Sequence, residues 1–133
     1  MVDIELSSPL LKKTLTLARK LDKKVIVSSH YLKGMPRDLE SILKMSLRAK
    51  ADFVKIAARA SSYDDVMTMV DFTHRHRKHH LITMCMGPLG AISRLILPAA
   101  GSRYTYTFLN KPTASGQVDV VTLKSHMKVY YSS

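Results

Sequence analysis

The sequence has little of what would place a protein outside the cell or in a membrane. Its 133 residues include one cysteine, Cys85, and no tryptophan. A single cysteine cannot form an internal disulfide, and together with the scattered histidines it shows no zinc-ligand spacing. No apolar run approaches the roughly 20 residues that a helix needs to cross a bilayer, and the N-terminal segment lacks the order of a signal peptide. We therefore expect no metal, no membrane contact and a reducing, cytoplasmic location.

Acidic residues are also scarce. Ten Asp and Glu stand against 21 Lys and Arg, which gives a formal net charge of +11. Such a charge attracts nucleic acid, an acidic membrane face or an anionic small molecule. The densest basic cluster, residues 74–80, has no interleaved aromatics of the kind that stack bases. We interpret it as a solvated helix end and expect no nucleic-acid partner, while a basic nucleic-acid binder remains the open alternative.

Five short apolar runs rich in strand-forming residues are spaced along the chain, at residues 2–6, 24–29, 52–57, 81–86 and 104–109. Segments of helical period separate them. We predict helix starts at Ser8 with Pro9, at Ser62 with Asp65 in the first turn, and at Asp119. This alternation predicts five βα units around a parallel sheet. By length, the sheet is either an open flavodoxin-like one or part of an eight-stranded barrel, which needs about 250 residues.

Two candidate reactive side chains fall on neighbouring predicted strands. His30 follows the second strand and Lys55 lies in the third, so we expect them about 4.8 Å apart. Strand alternation places Lys55 on the same face as Phe53. Burial there disfavours the charged ammonium, which can make a lysine an amine nucleophile that forms an imine with a ketone. The alternatives are a structural lysine paired with Asp3 or Glu5, and a histidine in a surface loop.

A second group of candidates follows the fourth and fifth predicted strands. Met84 and Met86 share a strand face, and Arg94 follows a glycine-bearing turn where its guanidinium could hold a carboxylate. Thr113 and Gln117 lie in a later polar loop and could add hydrogen bonds. Paired methionines are more often plain core, and such a loop can be an ordinary turn. The residues alone leave these alternatives open.

Five motifs occur in order along the chain: VDIEL, KVIVSSH, ADFVKIA, LITMCMGPLGAISR and TASGQ. Their letters, order and spacing resemble type I 3-dehydroquinate dehydratase over nearly the whole sequence. The resemblance implies an α/β fold of parallel βα units, a partial (β/α)8 TIM barrel with about five of the eight units. It implies that residues 1–133 are a single domain, the C-terminal five-eighths of such a barrel, beginning at the fourth barrel strand.

The same resemblance implies a lyase of the shikimate pathway of aromatic amino acid and chorismate biosynthesis. It would convert 3-dehydroquinate to 3-dehydroshikimate without a metal or organic cofactor. Lys55 would form a Schiff base with the substrate ketone, and His30 would be the proton donor and acceptor. Arg94 would bind the substrate carboxylate, assisted by Gln117 and Thr113.

The resemblance assigns further roles to five inward-facing residues. Met84, Met86 and Tyr106 would form apolar walls around the substrate, and Asp3 and Glu5 would give electrostatic support. The family's first three strands have no counterpart in the sequence, so the end strands would expose unpaired backbone edges. We expect a homo-oligomer or a separate N-terminal half-barrel to cover them. The alternative function is a truncated, catalytically impaired remnant that acts as a partner-binding or structural module.

Overall fold

The protein is built around one sheet of four parallel strands. The computed structural model describes residues 1–131. The strands are β1 (Val2–Glu5), β2 (Val25–Tyr31), β3 (Phe53–Arg59) and β4 (Leu81–Met86). They are hydrogen-bonded in sequence order, β1-β2-β3-β4, and every neighbouring pair is parallel. Four of the five predicted strands are therefore confirmed, each within two residues of its predicted ends.

Helices follow each strand, as the βα alternation predicts. They are α1 (Leu11–Lys20), α2 (Leu39–Arg48), α3 (Tyr63–Arg75), α4 (Ser93–Ala100) and α5 (Val120–Tyr130), with a 3-10 turn at Pro88–Gly90 before α4. In the part of the chain that the structure describes, no helix has the length and apolarity needed to span a membrane. The parallel α/β fold class is confirmed.

The predicted helix starts are confirmed at two of three positions. Ser62 accepts from the backbone N–H of Asp65, whose side chain accepts in return from the backbone of Ser62, which forms a capping box on α3. Asp119 caps α5. The prediction at Ser8 is wrong because its hydroxyl accepts from the backbone of Leu10 within a turn, one turn before the helix begins.

Strand alternation separates two apolar layers. Val54, Ile56 and Ala58 of β3 point outward and pack against α2, α3 and α4. Residues of opposite parity, including Phe53 and Ala57, form an inner layer with β2 and β4. The helices therefore cover one face of the sheet, and the other face carries the polar side chains described below.

The fifth predicted strand, residues 104–109, is not formed. It contributes only an isolated bridge between Phe108 and Asp119. Side chains occupy the β4 amides that a further strand would need. The Ser102 hydroxyl accepts from the Thr83 N–H at 3.0 Å, and the Ser93 hydroxyl accepts from the Cys85 N–H at 2.9 Å. The chain therefore passes along β4 without pairing as a strand.

The basic run at residues 74–80 lies at the C-terminal end of α3, as expected. Glu40 of α2 accepts hydrogen bonds from His76 at 2.7 Å and from Arg75 at 2.8 Å. The hydrogen bond from His76, followed by that from Arg75, holds the pKa of Glu40 below its ordinary value. The first part of the run is thus tied to a neighbouring helix by charge pairing.

Candidate active site

The strand register gathers the polar candidates in two rows on the inner face. Glu5, Ser28 and Lys55 are Cα partners across β1, β2 and β3. His30 and Ala57 form the next row toward the carboxyl ends of the strands. In parallel α/β folds this end carries the reactive groups, because the loops that follow the strands can enclose a ligand there. The predicted placement of His30 and Lys55 on adjacent strands is confirmed.

The predicted distance between those two side chains is too short. Lys55 pairs with Ser28, two residues before His30. Two residues of strand rise and one strand spacing separate the Cα atoms of Lys55 and His30 by about 8 Å. The two side chains therefore start two residues apart along the strands and not directly opposite each other.

Lys55 is buried and has a carboxylate partner. It is 9% exposed, and its Nζ lies 3.0 Å from Oδ2 of Asp3. The Tyr106 ring lies over the amine, with its centroid 4.9 Å from Nζ. The sequence left a buried nucleophile and an ion-paired lysine as alternatives, and the structure shows burial and the ion pair together. Asp3 is the nearest described group that can take a proton from the amine.

His30 is oriented by an acid on the opposite side of β2 from Lys55. Its Nδ1 is hydrogen-bonded to Oε1 of Glu5. The Ser28 hydroxyl donates to that same Glu5 oxygen at 3.3 Å, from a position that is 1% exposed. The histidine is itself partly exposed, so a ligand and solvent can reach its ring. A carboxylate on Nδ1 leaves Nε2 as the nitrogen that can exchange a proton with a ligand.

The expected apolar wall is assembled from two distant segments. Met84 is buried, and both Met86 and Tyr106 pack on the inner apolar layer beside it. The two methionines share a face of β4, whereas Tyr106 lies in the irregular segment after α4. These three side chains border the side of the site that faces away from β1.

Arg94 is a buried cation near the start of α4. It is 2% exposed, and its Nη1 lies 3.1 Å from the sulfur of Met84. Among the described residues, no carboxylate pairs with it and its buried Nε has no hydrogen-bond partner. Burial lowers the pKa of its guanidinium. Burying a positive charge without a partner costs free energy, and a bound anion would offset that cost. Arg94 therefore has the surroundings expected of an anion-binding residue.

The loop with Thr113 and Gln117 closes on the turn after β4. Oε1 of Gln117 accepts from the backbone N–H of Thr113 at 2.7 Å, and the Thr113 hydroxyl donates to it at 3.2 Å. The carbonyl of Ser115 accepts from the Gly87 N–H at 3.0 Å. The structure therefore brings this loop to the segment that leads into Arg94. The side-chain carbonyl of Gln117 is occupied by hydrogen bonds within the loop. The side-chain amide nitrogen of Gln117 is the group that can donate a hydrogen bond to a ligand.

Replacing Gly116 with alanine is expected to detach this loop. Gly116 has φ +79°, and an added Cβ would lie 2.2 Å from the Gly87 carbonyl oxygen. We expect the Gly87 amide to exchange roughly tenfold faster or more, because its partner in the loop moves away. Hydrogen–deuterium exchange measures this. Gly34→Ala is the control, since its Cβ would meet no atom within 4 Å; equal exchange in the two variants would contradict the prediction.

Sequence analysis missed two residues of the site. Ser28 is two positions from His30, so the same strand alternation that placed Lys55 could have found it. Gly116 gives no such signal. Glycine is required there because the backbone of Gly87, which is 29 residues away in sequence, leaves no space for a Cβ. Local patterns do not report contacts of that kind.

The fold and site define a class of protein, the parallel α/β proteins that carry a buried amine, an imidazole and a guanidinium on the inner side of the sheet. Comparison with known proteins is consistent with that class. The type I 3-dehydroquinase family model matches residues 1–133. The chain belongs to the type I 3-dehydroquinase family.

The similar proteins are longer than this chain. A 3-dehydroquinate dehydratase of Dehalococcoides mccartyi is 34% identical over 136 residues, which cover 99% of this chain and 60% of that protein. The crystal structure of the Geobacillus kaustophilus enzyme matches with a TM-score of 0.89 and 29% identity, over 98% of this chain and 55% of that one. The Aquifex aeolicus structure matches with a TM-score of 0.86 and 33% identity, covering 97% and 59%. The chain thus spans little more than half the length of these relatives.

Proposed function

We propose that the protein is a lyase that dehydrates 3-dehydroquinate to 3-dehydroshikimate through a Schiff base on Lys55, within the shikimate pathway. One observation carries this proposal. The buried amine of Lys55 lies under the Tyr106 ring, the buried guanidinium of Arg94 lies 3.1 Å from the sulfur of Met84, and Tyr106 and Met84 pack in the same inner apolar layer. A ligand that carries both a ketone and a carboxylate satisfies both groups at once.

The first chemical step uses Lys55 and Asp3. The amine must be neutral to attack the ketone carbon, and Asp3, 3.0 Å away, can accept the proton. Attack gives a carbinolamine, and loss of water from it gives the protonated imine. The ring of Tyr106 over Nζ favours that cation by a cation–π interaction. The positive nitrogen then draws electrons from the neighbouring carbon–hydrogen bond.

The second step uses His30 and Glu5. His30 removes the proton next to the imine carbon, and the electron pair moves toward the imine nitrogen. The same imidazole then returns that proton to the departing hydroxyl, which leaves as water. Glu5 on Nδ1 stabilises the imidazolium between these events and fixes the orientation of the ring. Hydrolysis of the imine releases 3-dehydroshikimate and restores Lys55.

Arg94 holds the substrate by its carboxylate in this proposal. A planar guanidinium binds a carboxylate with two parallel hydrogen bonds, and its burial strengthens them. Thr113 and Gln117 add polar contacts from the closing loop, and Met84, Met86 and Tyr106 exclude water. A crystal structure of the type I 3-dehydroquinate dehydratase from Clostridium difficile, with covalently modified comenic acid, has a TM-score of 0.85 and 29% identity to this chain. It supports a covalent route in this fold.

The test is to trap the imine. The protein is incubated with 3-dehydroquinate, reduced with borohydride and digested, and the added mass is located by peptide mass spectrometry. We expect a single adduct on Lys55. No adduct from a protein with a cooperative unfolding transition would overturn the proposed function and favour the remnant alternative. An adduct on another lysine would remove Lys55 from its role.

Glu5→Gln is expected to separate imine formation from proton transfer. The variant keeps the shape of the side chain and loses the charge that stabilises the imidazolium of His30. We expect the trapped adduct on Lys55 to form as before, while loss of the substrate α-proton slows about tenfold or more, part of the 10²–10⁴ that acid–base catalysis contributes. Deuterium exchange at that carbon measures the rate. Equal loss of both steps would mean that Glu5 only supports the fold.

The proposal extends to assembly and location. We propose that residues 1–133 act as one domain, in the cytoplasm, and that they associate through β1. Within the described residues β1 pairs only with β2. Beside it, α1 and the residues at its two ends expose Leu10, Leu17 and Leu21, each more than half exposed. An open edge next to an apolar helix face favours a homo-oligomer or an added half-barrel. Sedimentation of the isolated chain is expected to show self-association, and a stable monomer at high concentration would contradict this.

A further inference from the structure

The αβ connections of the fold form a continuous surface at the end of the sheet opposite the candidate site. We name this surface the basic edge and define it as residues 19–24, 48–52, 76–80 and 101–104. Contacts join its parts in order. Arg19 donates to the Lys50 carbonyl at 2.7 Å, and His80 lies 3.2 Å from the Asp52 carbonyl. The Arg103 N–H donates to the carbonyl of Leu81 at the start of β4.

The basic edge carries most of the excess charge of the chain. It contains nine Lys and Arg against two Asp, all of them exposed: Arg19, Lys20, Lys23, Lys24, Arg48, Lys50, Arg77, Lys78 and Arg103, with Asp22 and Asp52. In the described part of the chain, none of the nine forms an ion pair. Asp52 is occupied by the backbone N–H of Val25, at 2.8 Å. The positive potential of this surface is therefore not neutralised from within.

Helix capping explains only part of this charge. Arg19, Lys20 and Arg48 lie in the last turns of α1 and α2, where cations stabilise the helix dipole. Arg77 donates to the His74 carbonyl at the end of α3. The remaining five cations have no such role. They lie in the loops beyond the helices: Lys23, Lys24, Lys50, Lys78 and Arg103.

The fold brings a tyrosine ring into the basic edge beside His80, although the basic run at residues 74–80 contains no Phe, Tyr or Trp. Phe53, at the start of β3, contacts the His80 ring at a centroid distance of 5.3 Å and the Tyr104 ring at 5.5 Å. Phe53 is buried, whereas Tyr104 is 48% exposed and His80 is exposed. The sequence expectation of no nucleic-acid partner rested on the absence of aromatics from residues 74–80. The fold supplies an aromatic ring from Tyr104, which follows Arg103 in the sequence.

We propose that the basic edge binds single-stranded nucleic acid, with the cations along the phosphates and a base stacked on the exposed rings of His80 and Tyr104. Unpaired cations in loops can follow a flexible backbone, and ring faces accept any base, so the binding is tolerant of sequence. An acidic peptide would use the charge without the rings. The surface lies at the N-terminal ends of the strands, whereas His30 and Glu5 lie at the carboxyl ends, so it can be occupied without covering those two side chains.

The test is fluorescence anisotropy with a labelled 20-nucleotide single strand, a duplex of the same sequence and polyglutamate. We expect the single strand to bind best, with affinity that falls steeply as salt rises. The triple variant Lys23→Gln, Lys24→Gln, Lys78→Gln should weaken binding about tenfold or more and flatten the salt dependence. The control removes three exposed lysines from helices α1 and α2: Lys12→Gln, Lys13→Gln, Lys44→Gln. It should change the affinity much less.

Tyr104→Ser is expected to weaken single-strand binding about fivefold or more and to leave the salt slope unchanged, because it removes stacking and no charge. Tighter binding of polyglutamate or duplex than of the single strand would overturn the proposal. Equal effects of the two triple variants would do so as well, since binding would then follow net charge alone. Trapping at Lys55 should be the same in every one of these variants, which separates this proposal from the proposed function.

Discussion

Replacing Lys55 with methionine is expected to abolish the borohydride-reducible adduct with 3-dehydroquinate. Methionine keeps an unbranched side chain among the buried neighbours of Lys55 and removes the nitrogen that forms the imine. Asp3 loses its partner, but its side chain is 38% exposed and water can solvate it. We therefore expect the adduct to be lost completely and the free energy of unfolding to change little. Mass spectrometry and denaturant unfolding measure the two effects.

Lys44→Met is the control for this variant. Lys44 is exposed on α2, so its loss should leave the adduct intact and in the same peptide. Persistence of a full adduct in Lys55→Met would show that another amine reacts. The proposed mechanism would then be wrong in its first step.

Arg94→Met is expected to weaken substrate binding and to leave the fold as stable as before or more stable. The buried guanidinium has an unpartnered Nε and no carboxylate partner in the described structure, so removing it relieves a desolvation penalty. Loss of a buried charge-assisted pair with the substrate typically costs 2–5 kcal/mol, which corresponds to roughly 30-fold or more in affinity. The concentration of 3-dehydroquinate that gives half-maximal trapping should rise by about that factor.

The opposite signs of the two effects make the Arg94 result decisive. A residue retained for the fold would lower stability when replaced, whereas a residue retained for a ligand lowers binding alone. Arg48→Met, at an exposed position in the last turn of α2, should change neither quantity by much. Unfolding of Arg94→Met with unchanged substrate affinity in the remaining folded protein would refute the assignment.

Strand patterns predicted the part of the fold that depends on local sequence. The period-two alternation around Lys55 placed its side chain on the same face as Phe53, and the βα alternation predicted a parallel sheet with His30 and Lys55 on neighbouring strands. The register between β2 and β3 is not visible in either strand alone. It moved the expected distance between these residues from about 4.8 Å to about 8 Å.

The remaining differences come from contacts between distant segments. The apolar run at residues 104–109 has strand propensity, but hydroxyls of Ser93 and Ser102 bind the β4 amides beside it. Gly116 and Tyr104 owe their roles to Gly87 and Phe53, far away along the chain. Such contacts join segments that are far apart in sequence, so no short window of sequence contains them.

The hydroxyls along β4 also determine how this sheet can grow. The outward amides of Thr83 and Cys85 in that strand, and of Gly87 directly after it, donate to Ser102, Ser93 and the Ser115 carbonyl. One border of the sheet is thus sealed by its own chain, while the other border, at β1, still offers backbone groups to a newcomer. A sheet with one sealed border can accept a single neighbour but cannot polymerise into a ribbon. Any assembly built through β1 is finite by construction.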